Sequence, residues 1–486
     1  MARNLSILGT SSNAGKSLIT AGLCRILARE GVRVAPFKGQ NMALNAFVTA
    51  DGGEIGYAQA FQARAAGLLP TRDMNPVLIK PEADMHSQLI VRGEVRGRYH
   101  SRDFRGKREE LFEEVATSFD RLASEYEVIL LEGAGSPVEL NLMEGDLANL
   151  RMAAYADAEM LLVGDIHRGG IFAAMWGTVA LMPPESRRRL KGLIVNKFRG
   201  DASLFADGAT RLAELTGVPV AGVVPWTPLV LPEEDSAGLD DREEPSTSGA
   251  PVVVVRLPHI SNFTDFDPLR AEPGIQLAFR RSPPRERPRA VIIPGSKTTL
   301  HDLNWLHVAG WSDVLRRWAA AGTVVLGICG GYQMLGCSVA DPLGVEGPVG
   351  GQCSGVGLVP ADSIMQPRKT TRQRVGRVVA AGWEPVAVKG YEIHAGITTP
   401  RVGQHRPWLR LEGPRAEDGW HSADGRVFGT YLHGLFDAPG FRREFLSKLG
   451  VSSGLLADPV EEALDVWEEV LRRHVDLATV FRLVGV

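Results

Sequence analysis

Short hydrophobic runs punctuate the first half of the chain at LSILG, VRVAPF, EVILLEG, EMLLVGDI, KGLIVNKF and PVAGVVP. They are aliphatic and β-branched on consecutive positions, the pattern of strands buried on both faces. Between several of them the apolar positions follow a helical period. In KSLITAGLCRILAREG, Leu18, Ile19, Gly22, Leu23, Ile26 and Leu27 share one face, and Gly31 stands just past the end, where glycine favours helix termination. Strands alternating with helices predict a mainly parallel sheet covered on both sides.

The pattern breaks at residues 233–250, EEDSAGLDDREEPSTSGA, a polar, acidic, Gly/Ser/Pro-rich stretch with linker composition. It restarts with the strand VVVVRLP, then RAVIIPGS, a helical stretch around Trp305 to Ala320, and GTVVLGIC. After about residue 350 short strands and turns are expected, as in GYEIHAGIT and RVFGTYLHGLF. PVEEALDVWEEVLRRHVD reads as a terminal helix with Pro in its first turn. The predicted organisation is two doubly wound α/β domains, residues 1–232 and 251–450, joined by the linker 233–250 and followed by a helical tail, 451–486.

The length of 486 residues agrees with more than one core. A formal charge of −3 argues against a nucleic-acid binder. No apolar run approaches the roughly 18–20 residues that span a bilayer, so no membrane association is expected. The N-terminal strand runs straight into GTSSNAGKS and does not read as a signal peptide. Cys24, Cys329, Cys337 and Cys353 form no Cys-x-x-Cys pair. A zinc site or disulfide framework is therefore not expected, and a cytoplasmic setting is.

GTSSNAGKS, Gly9 to Ser17, lies between a strand and an amphipathic helix. Loop and helix N–H groups in that setting cradle phosphate. Lys16 would reach the β/γ-phosphates, and Ser17 would meet Mg²⁺. The spacing is one residue longer than the commonest phosphate loop. It resembles the Gly-Thr-x-x-x-x-Gly-Lys-Thr/Ser loop of dethiobiotin synthetase and its relatives, which places Thr10, Asn13 and Gly15 at the nucleotide as well. The resemblance further implies Lys38 at the transferring phosphate, Glu54 and Glu132 as acidic metal ligands with Ser17, and Asn196 at the adenine edge. Each acid taken singly could equally be a solvated surface residue.

The second domain holds GTVVLGICGGYQMLG. A strand runs into Cys329, Gly327, Gly330 and Gly331 crowd it, and a helix follows: a nucleophile elbow with Cys in place of Ser. A helix N-terminus favours thiolate, and the N–H that follows the nucleophile can stabilise an oxyanion. The partner base is sought among the 11 histidines. His433, closing an apolar strand, is the first candidate and His394 the second.

Gly-x-Cys-Gly-Gly-x-Gln followed far downstream by a strand ending in His resembles class I glutamine amidotransferases, which release ammonia from glutamine through a Cys thioester. IIPGSKTT resembles their oxyanion loop, implying Gly295 and Ser296 beside Gly330. The acid usual two residues after the His is absent, since Leu435 stands there. One branch lacks it throughout, that of the cobyrinate diamide and cobyric acid synthases, which also carry the ATPase ahead of the glutaminase. FKGQNMALNAFVTADGGEIGYAQAFQA, NLMEGDLANL, GDIHRGGIF and IPGSKTTLHDLNWL are similar to the cobyric acid synthase family. That implies amidation of the b, d, e and g carboxylates of adenosylcobyrinic acid a,c-diamide with ATP, Mg²⁺ and glutamine. It also implies a role for Asp146 near carboxylate activation, and sets Asp165 and Arg168 in a family stretch. An a,c-diamide synthase and a regulatory ATPase with an inactive glutaminase-like module are the rival readings. A homo-oligomer is left open. Residues 92–108 hold seven Lys or Arg against two acids, either a landing patch for a polycarboxylate or a solvated loop.

Overall fold

The computed structural model describes residues 2–82, 85–100, 102–229, 249–454 and 458–486. All but the last two residues of the expected linker 233–250 lie outside them. The first domain is built on β1 (Arg3–Gly9), β2 (Val34–Phe37), β3 (Val128–Glu132), β4 (Glu159–Asp165), β5 (Leu190–Phe198) and β6 (Val220–Pro225). They form one sheet in the order β6-β5-β4-β1-β3-β2, every neighbouring pair parallel. Strands buried on both faces require helices above and below. Two of these are α1 (Lys16–Arg29) and α2 (Tyr57–Ala65). The chain order reverses on either side of β1, so a crevice opens at the carboxyl ends of β1, β2, β3 and β5. Gly9, Lys38, Glu132 and Asn196 all lie at or near those ends.

The second domain repeats the plan with β7 (Ala250–Val255), β8 (Ile275–Arg280), β9 (Ala290–Ile293), β10 (Val324–Ile328), β11 (Trp420–His421) and β12 (Val427–Thr430). Their order is β8-β7-β9-β10-β12-β11, parallel except for the edge strand β11. The short α3 (Gly330–Leu335) leaves β10 directly after Cys329.

Three features depart from the periodicity reading. The helical stretch around Trp305 is two helices, Thr299–Val308 and Trp311–Ala320, broken where Gly310 turns left-handed at φ 80°. The region after residue 350 holds a long antiparallel pair, Ala361–Val378 with Ala387–Pro400, as well as short strands. Its irregular polar and apolar alternation, with a register shift between Met365 and Thr370, hid its length. The tail helix α4 (Pro459–His474) belongs to the first domain's core. Leu464, Trp467 and Leu471 pack with Leu5, Ile19 and Leu23, Trp467 Nε1 donates to the Leu18 carbonyl at 2.7 Å, and Glu461, Asp465 and Glu468 surround Arg25. The apolar face of α1 that the sequence exposes is thus covered from the far end of the chain.

A small sheet, Gln40–Met42, Val77–Pro81, His86–Val91 and Glu94–His100, stands beside the first domain. With Ala43, Ala46 and Val48 it packs Leu78 and Ile90 against Tyr391 and Ile393 of the second. This separate apolar cluster brings the two carboxyl-end crevices toward each other.

Candidate functional site

The phosphate loop folds as its sequence requires. Asn13 and Gly15 are left-handed, at φ 60° and 103°, and Thr10 N–H donates to the Val163 carbonyl at 2.9 Å. A Cβ at Gly15 would lie 2.0 Å from Asn196 Nδ2, so glycine is obligatory there. Lys16 is buried and curls over the loop, donating to the Ser11 and Gly135 carbonyls at 3.0 and 3.1 Å. Ser17 Oγ donates to Glu132 Oε1 at 2.8 Å, and Lys38 Nζ to the same oxygen at 3.0 Å. Ser17, Lys38 and Glu132 therefore meet as one cluster. The other Glu132 oxygen accepts from Gln62 at 2.5 Å and Gln59 at 3.3 Å. These two α2 glutamines were not singled out from the sequence, although their spacing of three sets both on one helix face.

Other predicted residues lie outside the Ser17–Lys38–Glu132 cluster. Asn196 donates to the Ala14 carbonyl at 2.9 Å and so braces the loop from β5. Lys197 Nζ does the same through the Asn13 carbonyl at 2.7 Å while pairing Asp165 at 3.0 Å. Glu54 is not drawn into the Ser17–Glu132 cluster. Its oxygens are taken by Lys80 at 3.0 Å and by Lys369 of the second domain at 2.6 Å. Burial would raise its carboxyl, but Lys369 and Lys80 outweigh that and hold it at about 2. Asp146 accepts backbone N–H from Ala148, Asn149 and Arg151 at 3.0, 2.7 and 3.1 Å. Its carboxylate thus orders the turn entering the helix Leu150–Tyr155. In the 92–108 stretch, Arg92, Arg96, Arg98 and Lys107 pair Asp73, Glu114, Glu82 and Glu110. Four of the seven basic residues are thus paired, three of them with acids outside the stretch's own helical turn.

In the second domain Cys329 takes φ 55°, ψ −111° between β10 and α3, the strained backbone of an elbow. A Cβ at Gly331 would sit 2.0 Å from the Ile293 carbonyl, and one at Gly330 would sit 3.0 Å from Ser296 N. The glycines thus let the elbow press against the chain around Ile293 and Ser296, and Ser296, Cys329 and Gly330 line one cavity. Ser296 Oγ is anchored on Asp302 at 2.7 Å.

His433 is fully buried, and its Nδ1 meets Asp265 Oδ2 at 2.6 Å. Asp265 also accepts the Gly434 N–H at 3.1 Å. Burial alone would depress the imidazole, but Asp265, and then Cys329, outweigh it and lift it to about 10. Nδ1 being engaged, Nε2 is the nitrogen left for Cys329. His394 is the opposite case. Burial depresses it to about 3, its Nδ1 bonds the Gly396 carbonyl at 2.7 Å, and among the described residues no carboxylate orients it. Cys24 is buried in the first domain's core, where its thiol is pushed upward.

A cavity of about 90 Å³ adjoins Cys329 and Gly330. Ser296, Lys297 and His394 line it from the second domain, and Lys80, Gln88 and Val95 from the first. Its walls carry three lysines, Lys80, Lys297 and Lys369. Lys297 pairs Glu82 at 2.6 Å across the domain boundary. Burial brings Lys369 down to about 8 against the pull of Glu54.

Comparison with known proteins fits both halves. The family model for a CobQ/CobB/MinD/ParA nucleotide binding domain matches residues 5–237, and that for a CobB/CobQ-like glutamine amidotransferase domain matches residues 251–441. The chain is 46% identical over 486 residues to the cobyric acid synthase of Rhodobacter capsulatus, covering 99% of each. It is 47% identical to that of Chloroflexus aurantiacus, covering 95% of this chain and 96% of the relative. With that of Acaryochloris marina it shares 45% identity over 94% and 93% of the two chains. Among the described residues no helix is long and apolar enough to cross a membrane.

Proposed function

The chain belongs to the cobyric acid synthase family, and on that premise we propose that it converts carboxylates b, d, e and g of adenosylcobyrinic acid a,c-diamide to carboxamides. ATP and glutamine are the other substrates. The observation that carries this reading is the pairing of two sites in one chain: the Lys16–Ser17–Lys38–Glu132 cluster and the Cys329–His433–Asp265 arrangement, with a cavity reaching from Cys329 to side chains of the ATPase domain.

The chemistry needs both. A carboxylate does not exchange oxide for ammonia at neutral pH. Its oxygen attacks the γ-phosphorus of ATP, ADP leaves, and ammonia then displaces phosphate from the acyl carbon. Lys16 and Lys38 offset charge on the transferring phosphoryl group. Ser17 and Glu132 offer the hard oxygens that Mg²⁺ prefers, and the ion when bound offsets further phosphate charge. Gln59 and Gln62 orient Glu132, and Asn196 fixes the loop. Asp146 serves by ordering its turn, and Glu54 by joining the domains.

At the second site His433, held as imidazolium by Asp265, already carries the proton of the Cys329–His433 pair, and the sulfur attacks the glutamine carboxamide carbon. The oxyanion would be met by N–H groups of the Gly295–Ser296 strand and Gly330. The imidazolium returns the proton to the departing ammonia, and water releases glutamate from the thioester. The cavity gives ammonia a route out of bulk water.

The test is isotopic. Glutamine labelled at its amide nitrogen should label the corrinoid product. Cys329→Ala should abolish that transfer while retaining amidation from ammonium chloride. Loss of both activities with ATP binding intact would count against the reading.

A further inference from the structure

The segment Lys38–Val48 runs from one site to the other. At its start Lys38 contacts Glu132. Asn41 donates to Gln59 Oε1 at 3.0 Å, and Gln59 in turn donates to Glu132. At its far end Asn45 Oδ1 accepts the Phe263 N–H at 3.0 Å. The Ala46 carbonyl accepts Asn262 Nδ2 at 2.8 Å and the Tyr391 hydroxyl at 3.1 Å. Asn262 Nδ2 also donates to that hydroxyl at 2.8 Å. All of these groups are buried.

Each far-end partner lies beside the Asp265–His433 pair, and Asn262 accepts the Asp265 N–H at 3.1 Å through its carbonyl. Phe263 opens the turn Phe263–Phe266 that carries Asp265, and Asn262 precedes it in the left-handed conformation at φ 54°. The Tyr391 ring stacks on the His433 imidazole, with centroids 5.4 Å apart and planes 17° apart. The acid and the imidazole are therefore both held by groups whose outer hydrogen bonds end on the first domain. A hydrogen-bonded imidazole is useful only while its ring plane and Nδ1 partner stay in place.

We propose that Asn45, Asn262 and Tyr391 are positioning residues for glutamine hydrolysis, and that ordering of Lys38–Val48 at the nucleotide end sets the geometry of the Asp265–His433 pair at the other. None touches the reacting atoms. Substrate-bound ATPase sites thereby switch on the ammonia supply through backbone and side-chain contacts of one eleven-residue segment. The inference rests on the reading of Cys329 and His433 as the glutaminase.

The test uses the full chain with Tyr391→Phe, which keeps the stacked ring and removes only its hydroxyl, and with Asn45→Ala. Glutamine hydrolysis is measured with and without ATP and corrinoid, alongside amidation from ammonium chloride. Losing one or two buried hydrogen bonds should lower the stimulated kcat about tenfold. KM for glutamine and the ammonium-supported rate should stay at the wild-type level, and the stimulation by ATP and corrinoid should shrink. Wild-type kcat and stimulation in both variants would overturn the proposal. So would parallel loss of the ammonium-supported rate, which would mark a general structural role. A wild-type protein that hydrolyses no glutamine under any condition would instead overturn the underlying reading of the site, and the proposal with it.

Discussion

Asp265→Asn tests the catalytic pair most sharply. In the wild-type protein the carboxylate sits 2.6 Å from His433 Nδ1 inside a fully buried site. The net lift of the imidazole from 6.5 to about 10, achieved against burial, corresponds to roughly 5 kcal/mol in favour of imidazolium at about 1.36 kcal/mol per pH unit. An amide of the same shape removes the charge. Its NH₂ can also donate to Nδ1, which moves the ring proton to Nε2 and leaves no lone pair for the Cys329 proton. Wrong-tautomer substitutions in Ser triads cost about 10⁴ in rate. A thiol ionises more readily than a hydroxyl, so a fall of about 10²–10³ in glutaminase kcat is expected here. The assay is glutamate release, read beside amidation from ammonium chloride, which should be unchanged. A fall of less than about fivefold would refute the assignment of Asp265 as the group that orients His433, since a tenfold change already requires only about 1.4 kcal/mol.

The same pair predicts a pH dependence. Because the folded imidazole is raised above its ordinary value, its contribution to stability is fully present below pH 6.5 and is lost as pH rises through about 10. Chemical denaturation of wild type should show that alkaline loss, and Asp265→Asn should flatten it. Gly15→Ala meets Asn196 Nδ2 at 2.0 Å from a left-handed backbone. At a strain of roughly 1–3 kcal/mol, calorimetry should find ATP binding weakened about five- to a hundredfold, with nucleotide-independent glutamine hydrolysis unchanged. Trp467→Ala removes a buried ring and its bond to the Leu18 carbonyl. It should destabilise the first domain by about 3–5 kcal/mol in denaturant titration, and a change below about 1 kcal/mol would deny α4 its place in that core.

What could be read in advance was contiguous. GTSSNAGKS and GICGGYQ each carry their geometry within a few residues, so local glycine demands and flanking periodicity were sufficient to place Lys16, Ser17 and Cys329. The alternation of strands and helices likewise yielded two α/β domains. Groups that meet only through tertiary folding were hidden. Asp265 lies 168 positions before His433, inside NFTDFD, where two phenylalanines among polar residues read as ordinary core. The sequence around Glu54 does not announce its pairing with Lys369, 315 positions away. The contacts of Asp146 are to backbone amides, which no side-chain pattern reveals. Part of the basic look of residues 92–108 is offset in the same way, by acids such as Asp73 and Glu82 on other elements. Where α4 packs depended on which exposed stripe elsewhere needed a cover, and periodicity reports only that a stripe exists.

The central claim is that one chain activates corrinoid carboxylates with ATP and supplies ammonia from glutamine for each. It is tested most directly by mass spectrometry of adenosylcobyrinic acid a,c-diamide incubated with the purified protein, ATP, Mg²⁺ and glutamine. The account predicts conversion of four carboxylates to carboxamides, with ADP and glutamate formed together. A corrinoid left unamidated, or ATP and glutamine consumed without nitrogen entering it, would contradict the account.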